Sequence, residues 1–138
     1  MHSQMLHEDL RIPLESIDEF AQWTSLHRGV STGRYLVVRG GTVDEPLRFC
    51  IDIGTMGSAG THVGGTFVPK TWRGQGIASA AMRGVVRYLL EERNLPCVTL
   101  HVHEENHPAV RCYERAGFKA TGAFRLICLL YTSPSPRD

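Results

Sequence analysis

At 138 residues, with 42% hydrophobic and 21% charged side chains, the chain has apolar material for one globular domain with its own core, and too little length for two. A formal charge of +1 provides no broad basic field for nucleic acid, and no local basic patch replaces it. No apolar run approaches the ~20 residues that cross a bilayer, and residues 1–20 lack the basic start and apolar centre of a signal peptide, so the expected setting is cytoplasmic and away from membranes.

In chain order, Ser16-Ile17-Asp18-Glu19 is a capping box ahead of Phe20 and Ala21, and it predicts a first helix over Ser16–His27, broken by the segment Gly29 to Gly33. Tyr35-Leu36-Val37-Val38 reads as a short buried strand. From Leu47 the pattern alternates, with Leu47, Phe49, Ile51 and Ile53 on one face and Arg48, Cys50 and Asp52 on the other. A further extended run, His62 to Val68, is closed by Pro69, which cannot donate to a sheet ladder. Gly74 to Glu92 is the strongest helix, with Ile77, Ala80, Ala81, Gly84, Val85, Tyr88 and Leu89 at helical spacing. Val98, Leu100 and Val102 then alternate with Thr99, His101 and His103 in another strand. A second amphipathic helix starts near Pro108, buries Ala109, Cys112, Tyr113 and Ala116, and ends at Gly117. Phe124 to Tyr131 is strand-like.

This order predicts an α/β, three-layer fold in which a mixed sheet carries helices on both faces. Residues 1–131 form the expected single domain, and the lack of a clear strand before Ser16 leaves open an incomplete amino end. The tail 132–138, with two prolines and small polar residues, is expected to be disordered; its wording also resembles sequencing-adapter read-through, which would make it non-native. Cys50, Cys97, Cys112 and Cys128 form no CxxC pair, and three stand among apolar neighbours, so reduced core thiols are expected.

The segment most informative about chemistry is Arg73-Gly74-Gln75-Gly76-Ile77-Ala78. It lies between a strand end and a helix start, where unpaired backbone N–H groups meet the positive end of a helix dipole. Gly74 and Gly76 remove the Cβ atoms that would hold a diphosphate off the backbone, Arg73 adds charge, and Ser79 offers a hydroxyl in the first turn. A mononucleotide P-loop is excluded, because Gly76 is followed by Ile77 and Ala78 rather than Lys and Ser or Thr. A dinucleotide fingerprint fits poorly, since Ser79 replaces its third glycine and Asn94 and Leu95 stand where an acidic residue is needed.

The segment Trp72-Arg73-Gly74-Gln75-Gly76-Ile77-Ala78-Ser79, together with Asn106-His107-Pro108-Ala109-Val110-Arg111-Cys112-Tyr113-Glu114-Arg115-Ala116-Gly117-Phe118, resembles the two signatures of the GNAT superfamily of N-acetyltransferases. The resemblance covers roughly half the chain. It implies a mostly antiparallel central sheet splayed between the family's fourth and fifth strands, here His62–Val68 and Cys97–His103. It also implies acetyl-CoA as co-substrate: the pantetheine arm on the backbone of Phe67 and Val68, the pyrophosphate on the amides of Arg73, Gly74, Gln75, Gly76, Ile77 and Ala78 beside Ser79, and an arm contact from Asn106, which is equally the cap of the following helix. The chain departs from the family at Pro69, with Lys70 at the more usual proline position.

The implied reaction is direct attack of a primary amine on the thioester, with no covalent enzyme intermediate. The acceptor is a small molecule or a peptide, and the assembly a monomer or homodimer. Tyr113 matches the family's general acid, and a phenol of ordinary pKa ~10 stays protonated at neutral pH to supply the departing thiolate. Glu104 or His103 are the candidate bases, with Asp52 and His62 able to face the cleft from neighbouring strands. The set His101, His103, His107 and Cys112 lacks a convincing zinc spacing, so no metal is expected. A non-catalytic acyl-CoA-binding sensor is the competing reading, and Tyr113 weighs against it.

Overall fold

Phe49, Ile51 and Ile53 alternate with Cys50 and Asp52 along one extended segment, and that alternation locates the core. In the computed structural model, which describes residues 19–42 and 44–125, the first three are buried and the other two half-buried on the opposite face. This strand, β2 (Phe49–Ile53), lies between β1 (Tyr35–Val38) and β3 (Thr61–Phe67), antiparallel to both. β4 (Val98–Thr99) pairs parallel with the start of β3, completing a four-stranded mixed sheet in the order β1-β2-β3-β4. Parallel strands need a long crossover. Here it is α2 (Ile77–Arg87), prolonged by a π-helical turn over Tyr88–Glu92. α1 (Glu19–Ser31) precedes the sheet and α3 (His107–Arg115) follows β4.

Met82 and Val85 of α2 and Leu89 of the π-helical turn pack with Phe49, Ile51, Ile53 and Val63, and Cys112 and Tyr113 of α3 with its C-cap Ala116 join the same core. The other face is set by register. Tyr35 lies opposite Asp52, so both point away from α2, and Gly29 of α1 lies so close to the Tyr35 ring that a Cβ there would collide with it. α1 and α2 therefore sit on opposite sides of the sheet, which is the predicted three-layer α/β arrangement. No helix among the described residues is long and apolar enough to cross a membrane.

Several expectations need correction. The first helix runs through Gly29 to Ser31; Ser31 and Thr32 hydroxyls donate back to the carbonyls of His27 and Arg28, and Gly33, at φ +70°, makes the break instead. In α2, Ala80 and Gly84 face solvent while Met82 is fully buried. Small residues carry too little apolar surface to mark a core face, whereas the larger side chains of Met82, Val85 and Leu89 do. The strand expected over Cys97–His103 is two residues long: pairing ends at His62↔Thr99, and Leu100 onward leaves β3. Cys97 is exposed, so it is no core thiol, while Cys50 and Cys112 are half-buried. Phe124 and Arg125 are not in a strand. Residues 16–18 of the capping box, Cys128, the rest of the 124–131 run and the tail lie outside the described residues.

Met82 has no solvent exposure. Its replacement by alanine is expected to lower stability by about 2–5 kcal/mol in urea unfolding with an unchanged denaturant slope. A loss below about 1 kcal/mol would contradict a core centred on this residue.

Candidate functional site

The end of β3, the loop after it and the first turn of α2 form one wall of a cleft of about 730 Å³, and α3 with the segment before it forms the other. Each wall follows from local sequence. On the first, Gly74 and Gly76 both adopt φ +76°, in the left-handed region that a residue with a Cβ rarely enters, and a Cβ at either would meet nothing within 4 Å. The loop is therefore a cradle with open space above it, not a tightly filled turn. Gly76 is also the N-cap of α2 and gives no side-chain cap, nor does any acidic residue occupy the first turn. The positive end of the helix faces the cleft with no acidic residue of its own first turn to neutralise it.

Arg73 crosses this wall. Its Nε donates to the Val68 carbonyl at 2.8 Å, and its guanidinium lies 5.3 Å from the centre of the buried Phe67 ring. Ser79 Oγ donates to Cys112 Sγ at 3.6 Å, tying α2 to α3 across the floor.

The second wall is held at both ends of α3. Asn106 caps its start, with Oδ1 accepting from the Ala109 amide at 3.3 Å, and Pro108 occupies the first turn. At its end Gly117, at φ +100°, closes a Schellman turn: the Phe118 amide donates to Tyr113 and the Gly117 amide to Glu114, both at 3.0 Å. The Phe118 ring meets that of Tyr113 edge-on, 6.1 Å between centres, so the cap also orients the half-buried phenol.

Of the residues singled out in the sequence, Phe67, Val68, Arg73, Gly74, Gly76, Ile77, Ala78, Ser79, Asn106, Tyr113 and His103 line this one cleft. Gln75 does not; its amide turns back to the Thr71 carbonyl at 3.4 Å. Glu104 does not either, and its neighbour Glu105 does. Asp52 and His62 stand elsewhere, Asp52 in a two-pronged pair with Arg34 at 3.1 and 2.6 Å, and His62 beside Thr99.

Sequence reasoning missed Trp72, Arg111 and Arg115, which also line the cleft. For Trp72 no local signal existed, because the Arg48 guanidinium that stacks 4.4 Å from its ring centre comes from a distant segment. For the arginines there was one. Cations at i and i+4 of a helix repel, and a sequence carries such a pair more readily where an anion can sit near both. With Arg73 they make three guanidiniums against one carboxylate, Glu105, around the cleft. Among the described residues no three His, Cys, Asp or Glu side chains converge as a metal site requires.

A mixed sheet with a crossover helix whose glycine-rich start opens on a cleft lined by three guanidinium groups defines an α/β domain with the geometry by which helix starts can hold anions. Residues 5–118 match the profile of the Acetyltransferase (GNAT) family, and the chain belongs to that family. It is similar to the mycothiol acetyltransferase of Thermobifida fusca (strain YX), 42% identical over 53 residues, which are 38% of this chain and 16% of that protein. Its fold resembles the spermidine N-acetyltransferase of Vibrio cholerae, solved with CoA and spermine, at a TM-score of 0.66 and 17% identity over 87% of this chain and 70% of that one. It also resembles a GNAT-family acetyltransferase of Bacillus anthracis, at a TM-score of 0.65 and 19% identity over 77% of this chain and 63% of that one. The chain thus spans about a sixth of the curated relative it matches.

Burial pushes the Cys50 thiol up to about 11, whereas Cys97 is exposed. Alkylation at pH 8, followed peptide by peptide in a mass spectrometer, is expected to modify Cys97 well before Cys50. The reverse order would contradict the packing of β2.

Proposed function

We propose that this domain binds acetyl-CoA in the cleft and transfers its acetyl group to a primary amine by direct attack. The observation that carries the reading is the left-handed pair Gly74 and Gly76 at an uncapped helix start, opening on the same cleft as Tyr113. The residues present fit the donor. A diphosphate lies on the amides of the α2 start, where fixed N–H groups and the helix dipole replace its hydration. Arg73, Arg111 and Arg115 complement the anionic nucleotide end, and the extended backbone of Phe67 and Val68 meets the amides of the arm. Asn106 contacts the arm from the other wall. The arm thus lies where β3 and the chain beyond β4 are no longer paired.

Acetyl-CoA supplies an activated acyl group, and the protein's part is to place and protonate. The amine nitrogen attacks the thioester carbonyl, the C–N bond forms, and a backbone N–H donates to the oxyanion. As the C–S bond breaks, the Tyr113 O–H gives its proton to the sulfur and CoA leaves as the thiol. Relatives named for acetylation of spermidine and of mycothiol support a small amine as acceptor.

Titration calorimetry and release of free CoA thiol test both halves. Wild type is expected to bind acetyl-CoA and to release CoA with at least one member of a panel of polyamines, aminothiols, amino sugars and amino acid amides. Gly76→Asp places a side chain and a negative charge in the cradle and is expected to abolish binding; unchanged affinity would refute the cleft assignment. Tyr113→Phe is expected to keep binding and lower kcat by about 10²-fold or more. Binding without turnover of any amine would favour a sensor instead.

A further inference from the structure

Arg111 and Arg115 of α3 stand apart from the arginines that hold the fold together. Arg34 holds Asp52, Arg48 holds Glu45 and Arg87 holds Glu91. Arg73 is anchored at the end of β3 by the Val68 carbonyl and the Phe67 ring. Arg111 and Arg115 are exposed, and among the described residues neither takes part in an ion pair or a hydrogen bond. They are one helical turn apart, so both side chains leave the same strip of α3, and both line the cleft. The helix dipole accounts for a cation at Arg115, in the last turn, but not for Arg111 in the middle of the helix. Two cations at this spacing repel each other in the free chain, and one anion held between them removes that cost.

The glycine cradle lies on the other wall, so the cleft has two places for an anion, and they are made of different material. At the start of α2 there are backbone amides in a fixed curve, with Arg73 beside them. On α3 there are two guanidinium forks on long side chains. The nucleotide end of CoA also carries two kinds of phosphate. Its diphosphate lies within the chain, ester-linked at both ends, and suits a cradle of amides that follows its contour. Its 3′-phosphate is terminal, with three free oxygens and about two negative charges at neutral pH, and suits a pair of forks that each donate two parallel bonds.

We propose that Arg111 and Arg115 together grip the 3′-phosphate of the donor, and so select a 3′-phosphorylated coenzyme over its 3′-dephospho form. The inference rests on the donor assignment above and deepens it. The cradle takes the diphosphate, which both forms share, and the α3 pair reads the one group that separates them. Because both side chains are exposed, each contact is screened by solvent and modest by itself, and the selectivity comes from two forks on one dianion.

Titration calorimetry on the full chain compares CoA with 3′-dephospho-CoA, for wild type and for the double variant Arg111→Gln/Arg115→Gln. Wild type is expected to bind CoA about 30-fold more tightly or better. The double variant should bind the two ligands equally, with its affinity for 3′-dephospho-CoA within about twofold of wild type, because the cradle is untouched. Neither side chain is part of the core, so its thermal midpoint should match that of wild type. Equal affinities of wild type for the two ligands would overturn the proposal and leave the donor reading intact. A double variant that weakens both ligands alike would also overturn it, by placing the pair on the diphosphate. If wild type binds neither ligand, the donor reading falls first and the proposal with it.

Discussion

The ladder between β3 and β4 is two residue pairs long, and the site depends on where it stops. Its start is tightly made. The Thr61 amide donates to the Cys97 carbonyl at 3.0 Å, Gly60 passes so near that carbonyl that a Cβ would collide with it, and Thr61 is buried with its hydroxyl against the Gly54 and Thr55 carbonyls. Beyond Thr99 the chain departs. A longer ladder would close β3 against residues 100–103 and bring the two walls of the cleft together. A shorter one would leave β4 unattached, because two pairs already give only marginal cohesion.

The irregularity on the other edge of β3 belongs to the same design. Cys50 pairs with Phe67 while Asp52 pairs with Gly64, so β3 carries one residue more than β2 over this stretch, with Gly65 at φ +60°. Such a bulge bends a strand and re-aims its end, and here it lies just before the cleft wall of Thr66–Val68. The fold thus leaves β3 regular at its start, where it anchors β4, and irregular at its end, where it forms the cleft wall.

Other local features carry a cost that a bound anion would offset. An uncapped helix start, two left-handed glycines and an i,i+4 arginine pair each reduce stability slightly in the free chain. Any ligand that binds only the folded state returns that stability by mass action. The exposed Arg34–Asp52 pair on the opposite face contributes little to stability by itself, about 1 kcal/mol at most.

What the sequence determined by itself lies within a few residues of its own cause. Alternation from Phe49 to Ile53 marked the core face, the glycines before Ile77 marked an open left-handed loop at the start of α2, and Asn106, Pro108 and Gly117 marked both ends of α3, because caps, turns and side-chain alternation are local rules. What only the tertiary structure decided are relations across the chain. Gln75 and Glu104 sit next to cleft residues in sequence yet do not line the cleft, the Gln75 amide reaching back to the Thr71 carbonyl instead. His62, Thr99, His101 and Phe124 converge from three segments, and Arg48 reaches Trp72 from a fourth. Those meetings follow from strand register and from the residue at which pairing ends, and both are fixed by packing of the whole sheet against α2 rather than by any local run of residues.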